Sequence, residues 1–594
     1  MDARSLPQTI SRLYFHLSRR RRRQLFGLLV LMMIGACAEL VTISAVLPFL
    51  ALMTEPDKAM DYPLVRHVFG ALGWHDEQRL LLPATMLFIS VAVFSASVRI
   101  LLIWVTNKIG YGIGYDLGRE VYRRSLFQPY RYHVSHNTSE TIAGIGKVQI
   151  VVECMLVPLM NVIVATMTAF AILVALIAID PVVAIGGGAG FTTLYLLITL
   201  VTRRNLSKNS QIIAAAQTTR VQAVQEGLGG IRDVLIDGSQ ELYVRRFNSI
   251  GNGLRRAQII NNFIGNAPRY IIEAVGILLL ATFAYWLSQR EGGLIATIPI
   301  LGALAVGAQK LLPLMQQIYN GWAIVVGYQR VVDDVVHLLE QEIPPEYFTP
   351  NIGRALPFEK SIRLQNVYFR YAPQGRDVLR NLSLEIMKGN HVGFIGKTGS
   401  GKSTSLDLVM GLLEPTEGSV LIDGAELSAL NRRNWQARIA HVPQTIYLSD
   451  ASIAENIAFG SEHNDVDMAR VQAAARKAQI DAYIGSLPEG YETQVGERGV
   501  RLSGGQRQRI GIARALYKQA DVLVFDEATS ALDDGTERSV MESLRGLGSK
   551  VTVLMIAHRL STLSECDCVF ELDSGRLLRQ GTYQQIVLTE STTT

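Results

Sequence analysis

Gly396-Lys-Thr-Gly-Ser-Gly-Lys-Ser-Thr404 is the strongest structural signal in this 594-residue chain. It follows the strand-like run His391–Ile395 and precedes a helical pattern, Ser403–Leu413. Three glycines let successive backbone N–H groups point at one spot, and the helix N-terminus adds the positive end of its dipole. The segment therefore predicts a phosphate-binding loop. We expect Lys402 to reach the β- and γ-phosphates of a nucleoside triphosphate and the Ser403 hydroxyl to hold Mg²⁺.

A second motif follows in the same half of the chain. The apolar run Val522–Phe525 is followed directly by Asp526 and Glu527. Such a run predicts a buried strand, so the two carboxylates would lie at the carboxyl edge of a sheet, where α/β domains bind ligands. We expect Asp526 to hold Mg²⁺ through water and Glu527 to act as general base on the attacking water.

The composition is uneven along the chain. Hydrophobic residues make up 49% of it and charged residues only 18%, and nearly all long apolar runs lie before residue 330. A chain of this length exceeds one hydrophobic core. The cysteines Cys37, Cys154, Cys566 and Cys568 lack the spacing of a disulfide framework or a zinc site, so reduced thiols are expected.

Six segments are long and apolar enough to cross a bilayer, which needs about 20 residues. They are Leu25–Met53, Leu81–Asn107, Ile150–Ile179, Val182–Thr202, Tyr270–Leu287 and Leu294–Tyr319. Basic residues lie before the first segment and after the second, fourth and sixth, which places both termini in the cytoplasm. The run Arg19–Arg23 directly precedes the first span. It is therefore interpreted as a topology-setting flank, and no nucleic-acid partner is expected.

Two cytoplasmic stretches, Lys108–Gln149 and Arg203–Arg269, are too long for loops and carry helical spacing of apolar residues. We expect membrane helices that continue into the cytosol, with short turns near His136–Glu140 and Ile231–Ser239. The external loop Asp57–Arg79 is consistent with either an interfacial helix or a solvated loop.

The sequence thus predicts two domains. Residues 1–340 form an all-α, six-helix transmembrane domain, residues 341–357 form a linker with four prolines, and residues 358–594 form an α/β domain. In the last, the strand patterns Ile362–Tyr371 and Leu382–Ile386 precede the phosphate loop. Alternating helical and strand patterns follow it, which is typical of a largely parallel sheet.

A third motif, Leu502-Ser503-Gly504-Gly505-Gln506, stands just before a basic helical segment that begins at Arg507. Its hydroxyl and backbone N–H groups can bind an anion at a helix N-terminus. In this order and spacing, the three motifs resemble those of the ATP-binding-cassette (ABC) transporters, and the resemblance covers essentially the whole chain. It implies a type I ABC exporter fold in which the membrane domain precedes an α/β P-loop cassette.

The resemblance also implies roles for further residues. Tyr371 resembles the aromatic residue that stacks on adenine, and Gln444 resembles the loop glutamine that contacts Mg²⁺. Asp533, in Ser530–Asp533, matches the loop that crosses the dimer interface, and His558 matches the switch histidine at the γ-phosphate. The residues implied to bind ATP are Tyr371, Gly396, Thr398, Gly399, Ser400, Gly401, Lys402, Ser403, Thr404 and Gln444. The implied catalytic residues are Glu527, His558 and Lys402, and the implied metal-binding residues are Ser403, Gln444 and Asp526. The implied signature residues are Ser503, Gly504, Gly505 and Gln506.

In this family the signature motif of one subunit closes over the phosphate loop of another. One chain has one cassette and six spans, so the resemblance implies a second copy of this chain, two MgATP sites, and coupling helices at the two cytoplasmic turns. Glu527 is present, which favours a hydrolysing ATPase over an ATP-gated channel or regulator. A soluble cassette ATPase acting on DNA or ribosomes would lack the spans.

Charged residues within the spans are the remaining clue to the substrate. They are Glu39, Arg99, Arg269, Glu273 and Lys310. Each costs about 2.5–3.5 kcal/mol at bilayer depth, so such residues normally face a wet cavity or pair with one another. Glu39 could pair with Arg99, and Arg269 with Glu273. The bases outnumber the acids, which favours a cavity for an anionic head group such as a pyrophosphate.

Three stretches of the membrane half resemble bacterial flippases of lipid-linked oligosaccharides. They are Ala38–Phe49, Ala267–Glu273 and Lys310–Pro313. The resemblance implies a polyprenyl-pyrophosphate-linked glycan that is moved across the bacterial inner membrane. The alternative substrates are a lipid of the lipid A type and a hydrophobic drug.

Overall fold

The computed structural model describes residues 5–54, 81–179, 181–288, 293–347, 356–528, 533–556, 563–564 and 566–588. The chain divides into two compact units. The first contains Met1–Gln128 and His136–Ile343, and the second contains Pro129–Ser135 and Pro344–Thr594. The external loop Asp57–Arg79 lies outside the described residues.

The first unit is built from helices. They are α1 (Leu6–His16), α2 (Arg19–Thr54), α3 (Leu81–Leu126), α5 (Thr138–Val151), α6 (Val157–Ile179), α7 (Pro181–Gly229), α8 (Ile231–Ile236), α9 (Gln240–Ser288) and α10 (Gly293–Leu339); α4 (Tyr130–Ser135) belongs to the second unit. Within the described part, the apolar stretches Arg19–Thr42, Ala84–Leu126 and Thr138–Ile177 meet the length and hydropathy of a membrane span. The predicted all-α architecture is confirmed: within the described residues, six long helices, with α5 and α6 counted as one, contain the six predicted apolar segments.

A π-helical turn, Val152–Leu156, joins α5 to α6. Pro158 has no N–H to donate to the carbonyl four residues earlier, which explains why α-helical bonding fails here. The Val157 N–H instead reaches back to the Val152 carbonyl. Val152 packs against Gly114 of α3, where an added Cβ would lie 2.3 Å from its methyl group. The π-helical turn therefore packs closely against α3 at Gly114.

One of the two predicted cytoplasmic turns overlaps the observed break only at residues 136 and 137. The structure places the break between α3 and α5 at residues 127–137, whereas His136–Glu140 was predicted. Asn137 caps α5 by accepting a hydrogen bond from Ser139 N, so residues 138–140 are already helical. The isolated Pro129 explains the earlier break, because a proline disfavours α-helical geometry in the residue before it. The second predicted turn, Ile231–Ser239, coincides with α8 and the residues that follow it.

The second unit contains two sheets. Its strands are β1 (Ser361–Phe369), β2 (Leu379–Met387), β3 (His391–Ile395), β4 (Glu417–Ile422), β5 (Ala425–Glu426), β6 (Ile439–Val442), β7 (Val522–Asp526), β8 (Thr552–Ile556), β9 (Cys568–Asp573) and β10 (Arg576–Gly581). An antiparallel sheet has the order β2-β1-β4-β5, and the larger sheet has the order β10-β9-β3-β8-β7-β6. From β9 to β6 the larger sheet is parallel, as predicted for the phosphate-loop domain.

The helices of this unit cover the larger sheet. They are α11 (Lys402–Val409), α12 (Arg432–Ala437), α13 (Ile453–Ile457), α14 (Met468–Lys477), α15 (Asp481–Gly485), α16 (Gly504–Lys518) and α17 (Asp534–Arg545). One apolar core lies between the two sheets and surrounds the fully buried Trp435, whose indole N–H donates to the Val409 carbonyl at 2.7 Å. A second core joins the other face of the larger sheet to α13, α14 and α16. The strand ends are thereby fixed from both faces.

Candidate functional site

The phosphate loop connects β3, which lies between β8 and β9, to α11. Gly396 has φ +137°, and an added Cβ would lie 2.1 Å from the Leu572 carbonyl oxygen. Gly401, the N-cap of α11, has φ +99°, and its Cβ would lie 2.5 Å from the Leu379 side chain. Only glycine fits these two positions. The loop consequently holds its backbone N–H groups at the carboxyl edge of the sheet.

Lys402 bends back over this loop. Its Nζ donates to the carbonyls of Gly396 at 2.7 Å and of Lys397 at 3.0 Å. Burial lowers the pKa of Lys402, although the carboxylates of Glu527 and Asp526 act in the opposite direction. The ammonium group is thus positioned where phosphate oxygens could replace the two carbonyls.

The loop fits a phosphate chain in two further respects. A Cβ on Gly399 would meet open space, so the loop is accessible from that side. Ser400 is only 3% exposed, and within the described structure its hydroxyl oxygen makes no hydrogen bond. Buried hydroxyl groups are normally hydrogen-bonded, so this one is consistent with a missing polar ligand.

The predicted metal-binding residues lie on neighbouring elements. Asp526 is the last residue of β7, Gln444 follows the adjacent parallel strand β6, and Ser403 lies in the first turn of α11. Hydroxyl, amide and carboxylate oxygens are the donors that Mg²⁺ prefers. Among the described residues, no group of three His, Cys, Asp or Glu side chains could hold a metal ion alone.

Glu527 and Gln444 contact each other directly. Gln444 Nε2 donates to Glu527 Oε2 at 2.5 Å, although the residues are 83 positions apart. Glu527 has φ +52°, and its N–H donates to the Ile556 carbonyl at 3.1 Å. A non-glycine residue in the left-handed region is uncommon, and such geometry is concentrated at functional sites. The backbone thereby turns the carboxylate away from the strand direction and toward the glutamine.

Tyr371 lies beyond the end of β1 and is 39% exposed. Its hydroxyl is 3.2 Å from Thr404 Oγ1 on α11, and its ring packs edge-on against Phe369 at a centroid distance of 4.9 Å. The aromatic side chain is therefore held beside the phosphate loop while part of its surface remains accessible. This placement is suitable for stacking on a base.

The signature residues form the start of α16. Ser503 Oγ accepts from Gln506 N at 3.3 Å, and Gln506 Oε1 accepts from Ser503 N at 2.8 Å. This capping box explains why a helix begins at Gly504. Within the described residues, no hydrogen bond or ion pair joins residues 503–506 to the phosphate loop of the same chain.

Two further predicted site residues of the cassette are Asp533, which caps a helix, and His558, which is not among the described residues. Asp533 caps α17 by accepting from Thr536 N at 2.9 Å and from Thr536 Oγ1 at 2.7 Å, and these bonds lower the pKa of its carboxyl group. His558 and residues 530–532 lie outside the described part of the chain, so the predicted role of His558 stays a prediction.

Sequence reasoning missed Asp407, which lies on α11 beyond the phosphate loop. Burial raises the pKa of Asp407 to about 6, and the negative charge of Asp526 acts in the same direction. The available signal was an acid between two leucines, Leu406 and Leu408, in the helix that follows the phosphate loop. Pairing it with Asp526 required the fold, because the two residues are distant in sequence.

The five charged residues predicted to lie within the spans form two groups in the first unit. Glu39, 3% exposed, accepts from Lys310 Nζ at 3.2 Å and pairs with Arg99. Arg269 pairs with Glu273 at 2.8 Å on the surface of α9. Both predicted pairs are confirmed, and the contribution of Lys310 to the first pair was not predicted. Thus Arg269 does not join the cluster of Glu39, Arg99 and Lys310.

Comparison with known proteins identifies the family to which both parts of the chain belong. Residues 379–530 match the ABC transporter family, and residues 26–294 match the ABC transporter transmembrane region. An ATP-dependent lipid A-core flippase of Alkalilimnicola ehrlichii is 32% identical over 409 residues, which cover 67% of each chain. A second one, of Ralstonia nicotianae, is 33% identical over 372 residues. These residues cover 61% of each chain, so the match spans less than two thirds of that relative's length.

A solved structure supports the fold over the whole length. A bacterial Atm1-family ABC exporter with ATP bound aligns with a TM-score of 0.76 and 26% sequence identity. The alignment covers 96% of this chain and 96% of that one. Both the helical unit and the cassette are therefore matched in one structure.

The raised pKa of Asp407 gives a testable pH dependence. A raised carboxyl pKa means that ionisation opposes folding, so the destabilisation grows as the pH rises from about 4 to about 6 and is complete above that range. Asp407→Asn should raise the midpoint of thermal unfolding of the nucleotide-free protein by about 2–4 °C at pH 7.5, with most of the gain lost at pH 4.5. Asp465→Asn, on an exposed segment, is the control. An equal gain at both pH values would contradict the assignment.

Proposed function

Because this chain belongs to the ABC exporters, with a transmembrane domain fused to one ATP-binding cassette, we propose that it hydrolyses ATP to move a phosphorylated glycolipid across the bacterial inner membrane. The observation that carries the proposal is the contact of Glu527 with Gln444 at the sheet edge that also carries the phosphate loop. A general base and phosphate-binding groups meet there in a chain that also has membrane-spanning helices.

Each residue of this edge has a distinct task. The loop N–H groups and Lys402 bind the phosphate chain, and Ser403, Gln444 and Asp526 would hold Mg²⁺, whose charge would stabilise the charge that develops on the phosphates. Glu527 is positioned by its unusual backbone geometry and by Gln444. It orients a water molecule and accepts its proton as the water oxygen bonds to the γ-phosphorus and the bond from that phosphorus to the oxygen of the leaving ADP breaks.

A second copy of this chain completes the site in our proposal. In the described structure, the signature residues make no hydrogen bond or ion pair with the phosphate loop of the same chain. They form the N-terminus of α16, and N–H groups at a helix N-terminus are suited to binding an anion. The helix α8 also exposes apolar side chains to solvent, with Leu235 59% and Ile236 73% exposed. Exposed apolar groups of this kind commonly mark a protein interface. Two copies would supply two composite MgATP sites.

The substrate proposal rests on the cluster of Glu39, Arg99 and Lys310. The two basic side chains are 53% and 46% exposed, whereas the Glu39 side chain is 4% exposed. The cluster carries a net charge of +1, one carboxylate against two cations, and its basic groups are the accessible part. Phosphate oxygens accept charge-assisted hydrogen bonds from such groups.

Two kinds of lipid carry the required phosphate and sugar. The relatives named lipid A-core flippases favour a lipid A-like substrate, and we place this alternative first. The polyprenyl-pyrophosphate glycan implied by Ala38–Phe49, Ala267–Glu273 and Lys310–Pro313 is the second candidate. Both contain a charged, hydroxylated head group that cannot cross hydrocarbon unaided at a useful rate.

The orientation that we propose for the chain in the membrane is inferred from the positions of its basic residues. Arg19–Arg23 begin α2, and Arg123 and Arg124 lie in the last turn of α3. The positive-inside rule places these helix ends, both termini and the cassette in the cytoplasm. The ATP sites would then face the cytoplasmic nucleotide pool.

Replacing the general base should separate ATP binding from hydrolysis. Glu527→Gln should lower the ATPase turnover by about 100-fold or more, because the amide cannot accept a proton, while ATP binding is retained. The measurement is phosphate release by the full-length protein in nanodiscs, together with equilibrium ATP binding. Glu542→Gln, on the exposed face of α17, is the matched control. A parental turnover rate in Glu527→Gln would overturn the proposed function.

The substrate proposal is tested by neutralising the cluster without leaving a buried charge unpaired. The triple variant Glu39→Gln, Arg99→Gln, Lys310→Gln should lower flipping of phosphorylated glycolipids by about tenfold or more. Flipping is measured in proteoliposomes with a lipid A-type lipid and, separately, a polyprenyl-pyrophosphate glycan. The faster of the two parental rates identifies the substrate class.

The control for this experiment removes another ion pair. Glu226→Gln with Arg246→Gln breaks a 2.5 Å pair outside the predicted spans and should preserve flipping. Parental flipping in the triple variant would reject the anionic-lipid proposal and favour a hydrophobic-drug substrate.

A further inference from the structure

The short helix α4 lies between two long membrane-unit helices in sequence but belongs to the same compact unit as the cassette. Its Arg131 donates two hydrogen bonds to one acceptor, the backbone carbonyl of Tyr371. The distances are 3.0 Å from Nε and 2.8 Å from Nη2. Because both N–H groups belong to one planar guanidinium, the contact fixes the direction as well as the distance of the carbonyl.

Tyr371 is thereby held at three points. Its carbonyl is bound by Arg131, its hydroxyl lies 3.2 Å from Thr404 Oγ1, and its ring packs edge-on against Phe369. The last two contacts connect it to the helix after the phosphate loop and to β1. Arg131 is the contact that comes from outside the contiguous cassette sequence.

The neighbouring Tyr130 shows which side of α4 faces the nucleotide site. Burial raises the pKa of its phenol, and the nearby Asp407, Tyr371 and Asp526 add to this effect. Asp407 and Asp526 lie on α11 and at the end of β7, on the two elements that frame the phosphate loop. Consecutive residues of α4 therefore contact or face groups around the ATP site.

We infer that Arg131 is a positioning residue that sets the affinity of the site for the adenine base. This inference rests on the proposed ATPase function. A displacement of α4 would shift the Tyr371 carbonyl and, with it, the ring beside the loop.

The inference predicts that loss of Arg131 weakens binding of the adenine base and leaves phosphate binding and catalysis unchanged. Loss of both hydrogen bonds in Arg131→Ala should raise the KM for ATP by about three- to tenfold, because each charge-assisted bond contributes modestly in an exposed position. The kcat should stay within about twofold of the parent, since Glu527 and Gln444 are untouched. Inhibition by magnesium tripolyphosphate, which lacks a base, should be unchanged.

Two further variants separate positioning from general effects. Arg131→Lys keeps the charge but offers no rigid pair of donors, so its KM should lie between those of the parent and of Arg131→Ala. Arg376→Ala removes a cation from the exposed loop after Tyr371. Within the described structure Arg376 makes no hydrogen bond or ion pair, so the KM of this variant for ATP should equal that of the parent. All variants are assayed as full-length protein in nanodiscs.

The outcomes distinguish this inference from the proposed function. An unchanged KM in Arg131→Ala, or equal weakening of ATP and tripolyphosphate binding, overturns the positioning role while leaving the ATPase assignment intact. A fall in kcat accompanied by a lower unfolding midpoint indicates a purely structural contact and also overturns it. Failure of the proposed function is recognised separately, by parental turnover in Glu527→Gln.

Discussion

The convergence of parallel strands at one edge of the larger sheet is the constraint on which the site depends. β3, β6, β7 and β8 run in the same direction, so the phosphate loop, Gln444 and Glu527 emerge at the same edge although they are far apart in sequence. Apolar cores on both faces of the sheet prevent the strands from shifting. The 2.5 Å contact between Gln444 and Glu527 is the direct consequence, and it connects the loop after β6 to the end of β7. A change in the position of that loop would therefore directly affect the position of the Glu527 carboxylate.

A second consequence concerns how the two halves of the sequence are connected. The structure assigns residues 129–135 to the cassette's compact unit, although the sequence places them between helices of the membrane unit. A segment whose two ends continue into long helices cannot move independently of both. Its two hydrogen bonds to the Tyr371 carbonyl consequently join a segment that lies between α3 and α5 in sequence to a residue beside the phosphate loop. This link does not pass through the linker around residue 344.

Local signals in the sequence predicted the fold and most of the ATP site, because each depends on a few neighbouring residues. The glycines of the phosphate loop, the strand that ends in Asp526, and the capping box of Ser503 and Gln506 are of this kind. The missed features depend on distant partners. Arg131 and Tyr371 are 240 positions apart, and Lys310 and Glu39 are 271 positions apart. The shifted cytoplasmic turn is different, because a nearby residue, Pro129, follows the end of α3 closely and is a local signal for the break.

The cluster of Glu39, Arg99 and Lys310 combines one buried acid with two accessible bases. Glu39 is almost inaccessible, so removal of both cations would leave an unpaired buried charge at a large energetic cost. Arg99 and Lys310 must therefore remain near it, yet each has donors exposed to another anion. A substrate phosphate would share these cations with Glu39 and would be bound more weakly than by two unpaired bases. Weak, shared binding suits a protein that must release its substrate on the other side, because tight binding in every state would stop the cycle.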